Sequence, residues 1–172
     1  LVEINPRIAT RSYDDDEDYI GVIATREVPG GFGGMSGAMI FRALHARDGE
    51  LSLLHERLST GQGQYYFTAS DIVAASANHY VVCGKYLPDS GSGTTAAVHL
   101  LIPTNLNEPV VPTLYDDPTA DDAFTSCVSL GAGSQYPEAV VAGLLYGRAV
   151  VLRTGSGAQN WTRYLNADSV EM

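Results

Sequence analysis

The sequence predicts an all-β fold of about three tandem units, each a four-stranded antiparallel sheet. Phe67-Thr68 and Val81-Val82-Cys83-Gly84 are nearly copied by Phe124-Thr125 and Val140-Val141-Ala142-Gly143, 57 and 59 positions later. Turns rich in Gly, Pro, Ser and Asp separate these β-rich runs. A period close to a third of the 172 residues indicates one supersecondary unit built several times. We place the units at approximately 1–60, 61–118 and 119–172, in a single domain or a fragment of one.

The second unit shows its strands most clearly. Aromatic and β-branched residues predict strands at 65–68, 79–87, 96–102 and 109–114. Residues 71–77 are ambiguous, because Ser70 could cap a helical turn there.

The first and third units repeat this plan. We expect strands at 19–28, 38–44 and 51–58 in the first unit, and at 139–145, 148–153 and 161–165 in the third. Tyr146-Gly147 then forms a two-residue hairpin turn.

Two other folds remain open. One is a β-sandwich or barrel without a repeat. The other is an α+β fold, with helices at 38–58 and 137–152. Gly143, Gly147 and the valine content of the later segment argue against a helix there.

A four-stranded antiparallel sheet repeated radially is a β-propeller blade, and propellers usually have four to eight blades. Three blades leave open edges, which pair with other chains unless they are covered. We therefore expect a homo-oligomer or a partner chain in a larger assembly.

Composition narrows the partners further. A net charge of −10 disfavours direct nucleic-acid binding, and no apolar run is long enough to span a membrane as a helix. Cys83 and Cys127 could form one disulfide or stay buried thiols, and we favour thiols. We expect a soluble protein, intracellular or part of a virion, with its compartment unassigned.

The segment 154–161 (Thr154-Gly-Ser-Gly-Ala-Gln-Asn-Trp161) resembles the Asp-box of sialidase-type β-propellers, S-x-D-x-G-x-T-W. Its tryptophan is retained, whereas the aspartate and glycine of the box are replaced. In that family the box is a structural turn, so the resemblance implies a propeller and not a catalytic site.

The acidic run 14–18 supplies candidate Ca²⁺ ligands in Asp14, Asp16 and Asp18, because Ca²⁺ prefers oxygen donors. A solvated loop is the competing interpretation, since successive residues of an extended chain point to opposite faces. The four histidines lack metal-ligand spacing. We therefore predict no catalytic residue, no cofactor-binding residue and no cofactor.

The function these features favour is a non-enzymatic structural or interaction module that self-associates or docks to a larger assembly, such as a capsid or a scaffold. The alternative is a carbohydrate-binding protein or sialidase-like glycoside hydrolase. Its glycan would stack on the aromatic rings of Trp161, Tyr164 and Tyr136.

Overall fold

The computed structural model describes residues 3–14, 17–28, 36–47, 50–59, 66–87, 94–104, 108–131, 136–155 and 160–165. In the first sheet, it describes the side chains of residues 7–10 and 20–24. The described residues form strands and turns, with no helix among them. The strands are β1 (Glu3–Asp14), β2 (Glu17–Val28), β3 (Ser36–Arg47), β4 (Glu50–Ser59), β5 (Tyr66–Ser76), β6 (His79–Leu87), β7 (Ala96–Pro103), β8 (Val111–Tyr115), β9 (Ala123–Ser129), β10 (Glu138–Leu145), β11 (Arg148–Gly155) and β12 (Trp161–Tyr164).

These strands make three four-stranded sheets in chain order, β1 to β4, β5 to β8 and β9 to β12. Neighbouring strands are antiparallel throughout. The predicted all-β class, with three four-stranded antiparallel sheets, is therefore confirmed. The helical alternative is wrong for 38–58 and 137–152, which form β3 with β4 and β10 with β11.

Two strands differ from the expectation. β5 continues through the ambiguous segment 71–77 as far as Ser76, so Ser70 does not begin a helical turn. β1 was not named from the sequence, because Pro6 and several polar residues hide the alternation of a strand. The predicted hairpin turn at Tyr146-Gly147 is present, and both residues have positive φ, 56° and 67°. That combination is typical of a type I′ turn.

A β-bulge recurs at one place in the second and third sheets. Ser70 is the extra residue opposite Gly84, and Thr125 is the extra residue opposite Gly143. A Cβ at Gly84 would lie 2.1 Å from the carbonyl oxygen of Thr68, and Gly143 is equally close to that of Ala123. Only glycine allows this approach of two backbones.

The bulges also fix how the repeat aligns. With Gly84 set against Gly143, the residue equivalent to Phe124 is Ala69, two positions after Phe67. The Val-Val-x-Gly copy is thus in structural register, and the Phe-Thr copy is offset by two residues. An offset of two keeps a side chain on the same face of a strand, so both phenylalanines are buried.

The sheets stack in chain order by one repeated arrangement. β5 packs on β1, β2 and β3, and β9 packs in the same way on β5, β6 and β7. The second sheet is therefore the middle layer of the described stack. The stack is open, because the three described sheets do not close into a ring. The propeller arrangement stays a prediction.

Each junction between sheets has its own hydrophobic core. Tyr80 packs on Gly21 at the first junction, where its ring leaves room for no side chain larger than hydrogen. The first core comprises Ala9, Ile23, Phe67, Ala69, Ile72, Ala74, Tyr80, Val82, Val98, Leu100 and Ile102. The second comprises Ala75, Val81, Cys83, Ala97, Phe124, Cys127, Ala139, Val141, Leu145, Val150 and Leu152.

Candidate interaction surface

Each sheet has one face directed toward the first-sheet end of the stack and one directed toward the third-sheet end. We call these the backward face and the forward face. The second and third residues after the bulge of each first strand identify these two faces. Ile8, Ile72 and Cys127 stand at the backward position, and Ala9, Val73 and Val128 stand at the forward position.

Burial at the backward position depends on whether a sheet precedes it. Ile72 and Cys127 are 3% and 7% exposed, because each packs against the preceding sheet. Ile8 is 64% exposed. The first sheet of the stack thus presents an apolar side chain where its equivalents are covered.

Burial at the forward position shows the same pattern at the other end. Ala9 is buried against the second sheet, and Val73 packs into the core beneath the third. Val128 is 56% exposed. No described strand covers the face on which it lies.

The forward face of the third sheet is a broad apolar surface. Strand register places residues from all four strands on it, and its large exposed hydrophobic side chains include Leu144. Its members are Ala123, Ser126, Val128, Leu130, Glu138, Val140, Ala142, Leu144, Ala149, Val151, Arg153, Trp161, Arg163 and Leu165.

The corresponding face of the second sheet is covered by the third sheet. Val81 stands where Val140 stands, and Tyr115 stands where Leu165 stands. Val81 is buried beneath the third sheet, and Tyr115 meets the Phe124 ring edge to face, with centroids 5.4 Å apart. A sheet packed on this face buries the middle of it and leaves residues at its margin exposed.

Two cationic contacts lie within the apolar surface. Arg153 and Glu138 form an ion pair of 2.7 Å, partly shielded from solvent. The guanidinium of Arg163 lies 5.9 Å from the centre of the Trp161 ring, a cation–π distance. The surface therefore combines apolar area with arginines and an aromatic ring, a composition enriched in protein interfaces.

Hydrogen bonds between bulges hold consecutive sheets together. Arg7 Nε donates to the Ser70 carbonyl oxygen across the first junction, at 2.9 Å. Across the second junction, Asp71 Oδ2 accepts from the backbone N–H of Cys127 at 3.0 Å and from the Ser126 hydroxyl at 3.3 Å. Ser126 is the third sheet's equivalent of Asp71, and it is exposed.

Asp121 and Asp122 tie the start of β7 to the third sheet. Asp121 accepts from the Thr95 backbone N–H at 2.9 Å, and the Asp122 backbone N–H donates to the Thr95 carbonyl at 2.7 Å. The carboxylate of Asp122 accepts from the backbone N–H of Tyr146 at 2.7 Å. Burial raises the pKa of Asp122. This acid is a structural clamp and not part of a solvated loop.

His99 is the buried histidine of the second junction. Its Nε2 lies 2.9 Å from the Thr154 hydroxyl, and the Tyr115 and Phe124 rings flank it. Burial lowers the pKa of His99 to about 4, so its ring is neutral at pH 7. Among the described residues, its Nδ1 has no hydrogen-bond partner, so no described carboxylate orients the ring as in a nucleophile–histidine–acid triad.

Cys83 and Cys127 meet across the same junction as free thiols. Cys127 lies 3.8 Å from the Val81 carbonyl oxygen. A hydrogen bond with the Cys83 thiol, together with burial, raises the pKa of Cys127 far above its usual value. Cys127 is therefore protonated and unreactive in the folded chain.

The three aromatic residues predicted to face a ligand do not form one platform. Trp161 pairs with Arg153 on the forward face, whereas Tyr164 pairs with Val150 on the opposite face. Tyr136 is exposed and precedes β10. Tyr164 has its own neighbours, Arg148 at 4.9 Å and the Tyr146 ring at 6.5 Å.

The remaining predicted positions lie partly outside the described residues. Asp14 ends β1 and Asp18 lies in β2, whereas Asp16 is outside the description. Residues 156–159 of the Asp-box-like segment are also outside it. Within the described part of the chain, no group of three His, Cys, Asp or Glu residues could hold a metal ion.

No local signal in the sequence distinguishes the residues that make the forward face. Val128, Leu130 and Leu144 look like ordinary strand residues, and Ile8 lies in the strand that was not named. Alternation places such residues on one face or the other, but only the register between sheets tells which face is covered.

Comparison of the chain with protein-family models, curated proteins and solved structures gave no match. Among the described residues, no helix is long and apolar enough to cross a membrane.

Proposed function

We propose that this protein is a non-enzymatic structural module that self-associates to build a larger assembly, such as a capsid or a scaffold. The observation that carries the proposal is the forward face of the third sheet. It exposes five large apolar side chains, of Val128, Leu130, Leu144, Trp161 and Leu165. The third sheet covers the second-sheet equivalents of Val128, Leu130 and Leu165, whereas the equivalents of Leu144 and Trp161 are exposed. Exposed apolar patches of this kind mark sites of protein association.

The contacts around the ionisable groups support the same proposal. His99, Asp122 and the two thiols lie inside the second junction, where they bond to neighbouring sheets. The altered pKa values of His99 and Asp122 follow from burial at this junction, which also occurs at purely structural sites. These groups therefore contribute to holding the sheets together.

The test is the oligomeric state of the native chain. Sedimentation velocity over a concentration series should reveal reversible association into a species larger than the 18.3 kDa of one chain. Substitution of an exposed forward-face residue, Val128→Asp, should shift the equilibrium toward the single chain, because a carboxylate cannot be buried there without a partner. A chain that stays at 18.3 kDa at every concentration would refute the proposal.

A carbohydrate-binding protein or sialidase-like glycoside hydrolase remains the second candidate. The observation that favours it is the exposed aromatic cluster of Tyr146 and Tyr164, with Arg148 against the Tyr164 ring. Sugars stack on such rings, and an arginine beside them could bind an acidic sugar. A glycan array and a fluorogenic sialoside assay test this candidate, with Tyr164→Ala as the variant that should lose any signal. If the wild-type protein neither binds a glycan nor hydrolyses the sialoside, this second candidate function is refuted.

A further inference from the structure

We infer that two copies of this chain associate head to tail, with the forward face of the third sheet of each copy packed on the backward face of the first sheet of the other. The inference rests on the proposed function, and it names the partner surface and the orientation.

The two junctions within the chain supply the geometry. At each one, the forward position of one sheet is buried by the following sheet, whose own backward position is buried in return. Ala9 and Ile72 are buried at the first junction, and Val73 and Cys127 pack into the second. Val128 and Ile8 are the forward and backward positions that lack such a neighbour. A second copy supplies the missing neighbour of each.

The arrangement continues an interface that the chain already builds twice. Three sheets from each of two copies make six, which is within the four to eight blades of propellers. Three copies would make nine. Because the two contacting faces differ, the interface is heterologous, and such interfaces produce a closed ring or an open filament. Two copies are the number that allows closure in this range.

The competing arrangement pairs two forward faces across a two-fold axis. It would place the Arg163 guanidinium of both copies in one interface, and like charges brought together oppose association. It would also leave Ile8 exposed in the assembly. Head-to-tail packing brings the forward face against a different surface and covers Ile8.

Two variants test the orientation, because each blocks one face and leaves the other intact. Val128→Asp blocks the forward face, and Ile8→Asp blocks the backward face. Leu114→Asp is the matched control, because Leu114 is an exposed apolar residue in the outer strand of the middle sheet. Circular dichroism and thermal unfolding establish that each variant folds.

We expect each blocking variant alone to associate at least about 100-fold more weakly than the wild type, because a buried carboxylate has no partner. The control should associate like the wild type. An equimolar mixture of the two blocking variants should form a 1:1 complex, because the intact forward face of Ile8→Asp meets the intact backward face of Val128→Asp. Sedimentation velocity and native mass spectrometry measure the association of the wild type, the three single variants and the mixture.

Two results would overturn the head-to-tail orientation while leaving self-association intact. In one, Ile8→Asp associates like the wild type, as two paired forward faces require. In the other, the mixture remains as separate chains. A wild-type chain that never associates would instead refute the proposed function itself, so the two failures are distinguishable.

Discussion

Ile8 and Val128 stand at opposite ends of the stack of sheets, each at a position whose equivalents inside the stack are covered. Ile8 corresponds to Ile72 and Cys127, which the preceding sheet covers. Val128 corresponds to Val73, which packs beneath the following sheet. One packing rule thus accounts for the buried residues inside the stack and for the exposed ones at its ends.

The glycines of the bulges should be intolerant of any side chain. We expect Gly84→Ala and Gly143→Ala each to lower the free energy of unfolding by about 3 kcal/mol, because the new Cβ would strike a backbone carbonyl oxygen and not a flexible side chain. Denaturant unfolding measures the loss.

Gly147→Asn is the control for those glycines. Gly147 has positive φ but no atom within 4 Å of an added Cβ, and asparagine tolerates positive φ. Equal losses at Gly84 and Gly147 would contradict the account of the bulge.

His99 should make stability fall with acidification. Its folded pKa of about 4 lies below the ordinary 6.5, so the unfolded chain binds the proton more tightly between these values. The contribution is complete above pH 6.5 and is lost as the pH falls toward 4, by about 3 kcal/mol. His99→Gln keeps a polar group for Thr154 but does not titrate.

The measurement for His99 is urea unfolding of both proteins from pH 7 to pH 4. The wild type should lose more stability than His99→Gln over this range. Parallel pH profiles would show that His99 is accessible to protons in the folded chain.

The two thiols should be protected from reagents in the folded chain. Burial and the hydrogen bond between them keep Cys127 protonated, and the thiolate is the reactive form. Ellman's reagent should modify both cysteines rapidly in guanidinium and at least about 100-fold more slowly in native buffer, where reaction awaits opening of the junction. Rapid modification of the native protein would contradict the packing of the third sheet on the second.

Asp71 should contribute to the junction of the second and third sheets. Asp71→Ala removes the acceptor for the Cys127 backbone N–H, and we expect it to cost about 2 kcal/mol of unfolding free energy. Asp71→Asn retains an acceptor oxygen and should recover part of the loss. Asp117→Ala is the control at an exposed turn, where the carboxylate accepts from the backbone N–H and the hydroxyl of Thr119. Thermal unfolding compares the three variants, and an equal loss in Asp117→Ala would refute the role of Asp71.

Much of the fold could be predicted from the sequence, because turns and β-rich runs are local signals. The β6 and β7 strands and the Tyr146-Gly147 turn are examples. The residue-by-residue alignment of the second and third units was harder to predict from the sequence. The Phe67 and Phe124 copies are offset by two residues, because the position of a bulge depends on pairing between strands and not on either strand alone.

The candidate surface was harder to predict than the fold. Trp161 can be singled out from the sequence because it is the only tryptophan, and it lies on the forward face. The side chains of Val128 and Leu144 are exposed to a larger fraction than that of Trp161, yet nothing local distinguishes them from Val81 or Val141, which are buried. The difference arises from the number of sheets in the stack, which no single strand encodes.

Sedimentation velocity of the wild type beside Val128→Asp is the decisive test of whether two chains associate through the forward face. We expect a wild-type species of twice the 18.3 kDa chain mass at high concentration, and a variant that stays at 18.3 kDa while folding normally. Equal masses for the two proteins, either both single chains or both associated, would contradict it.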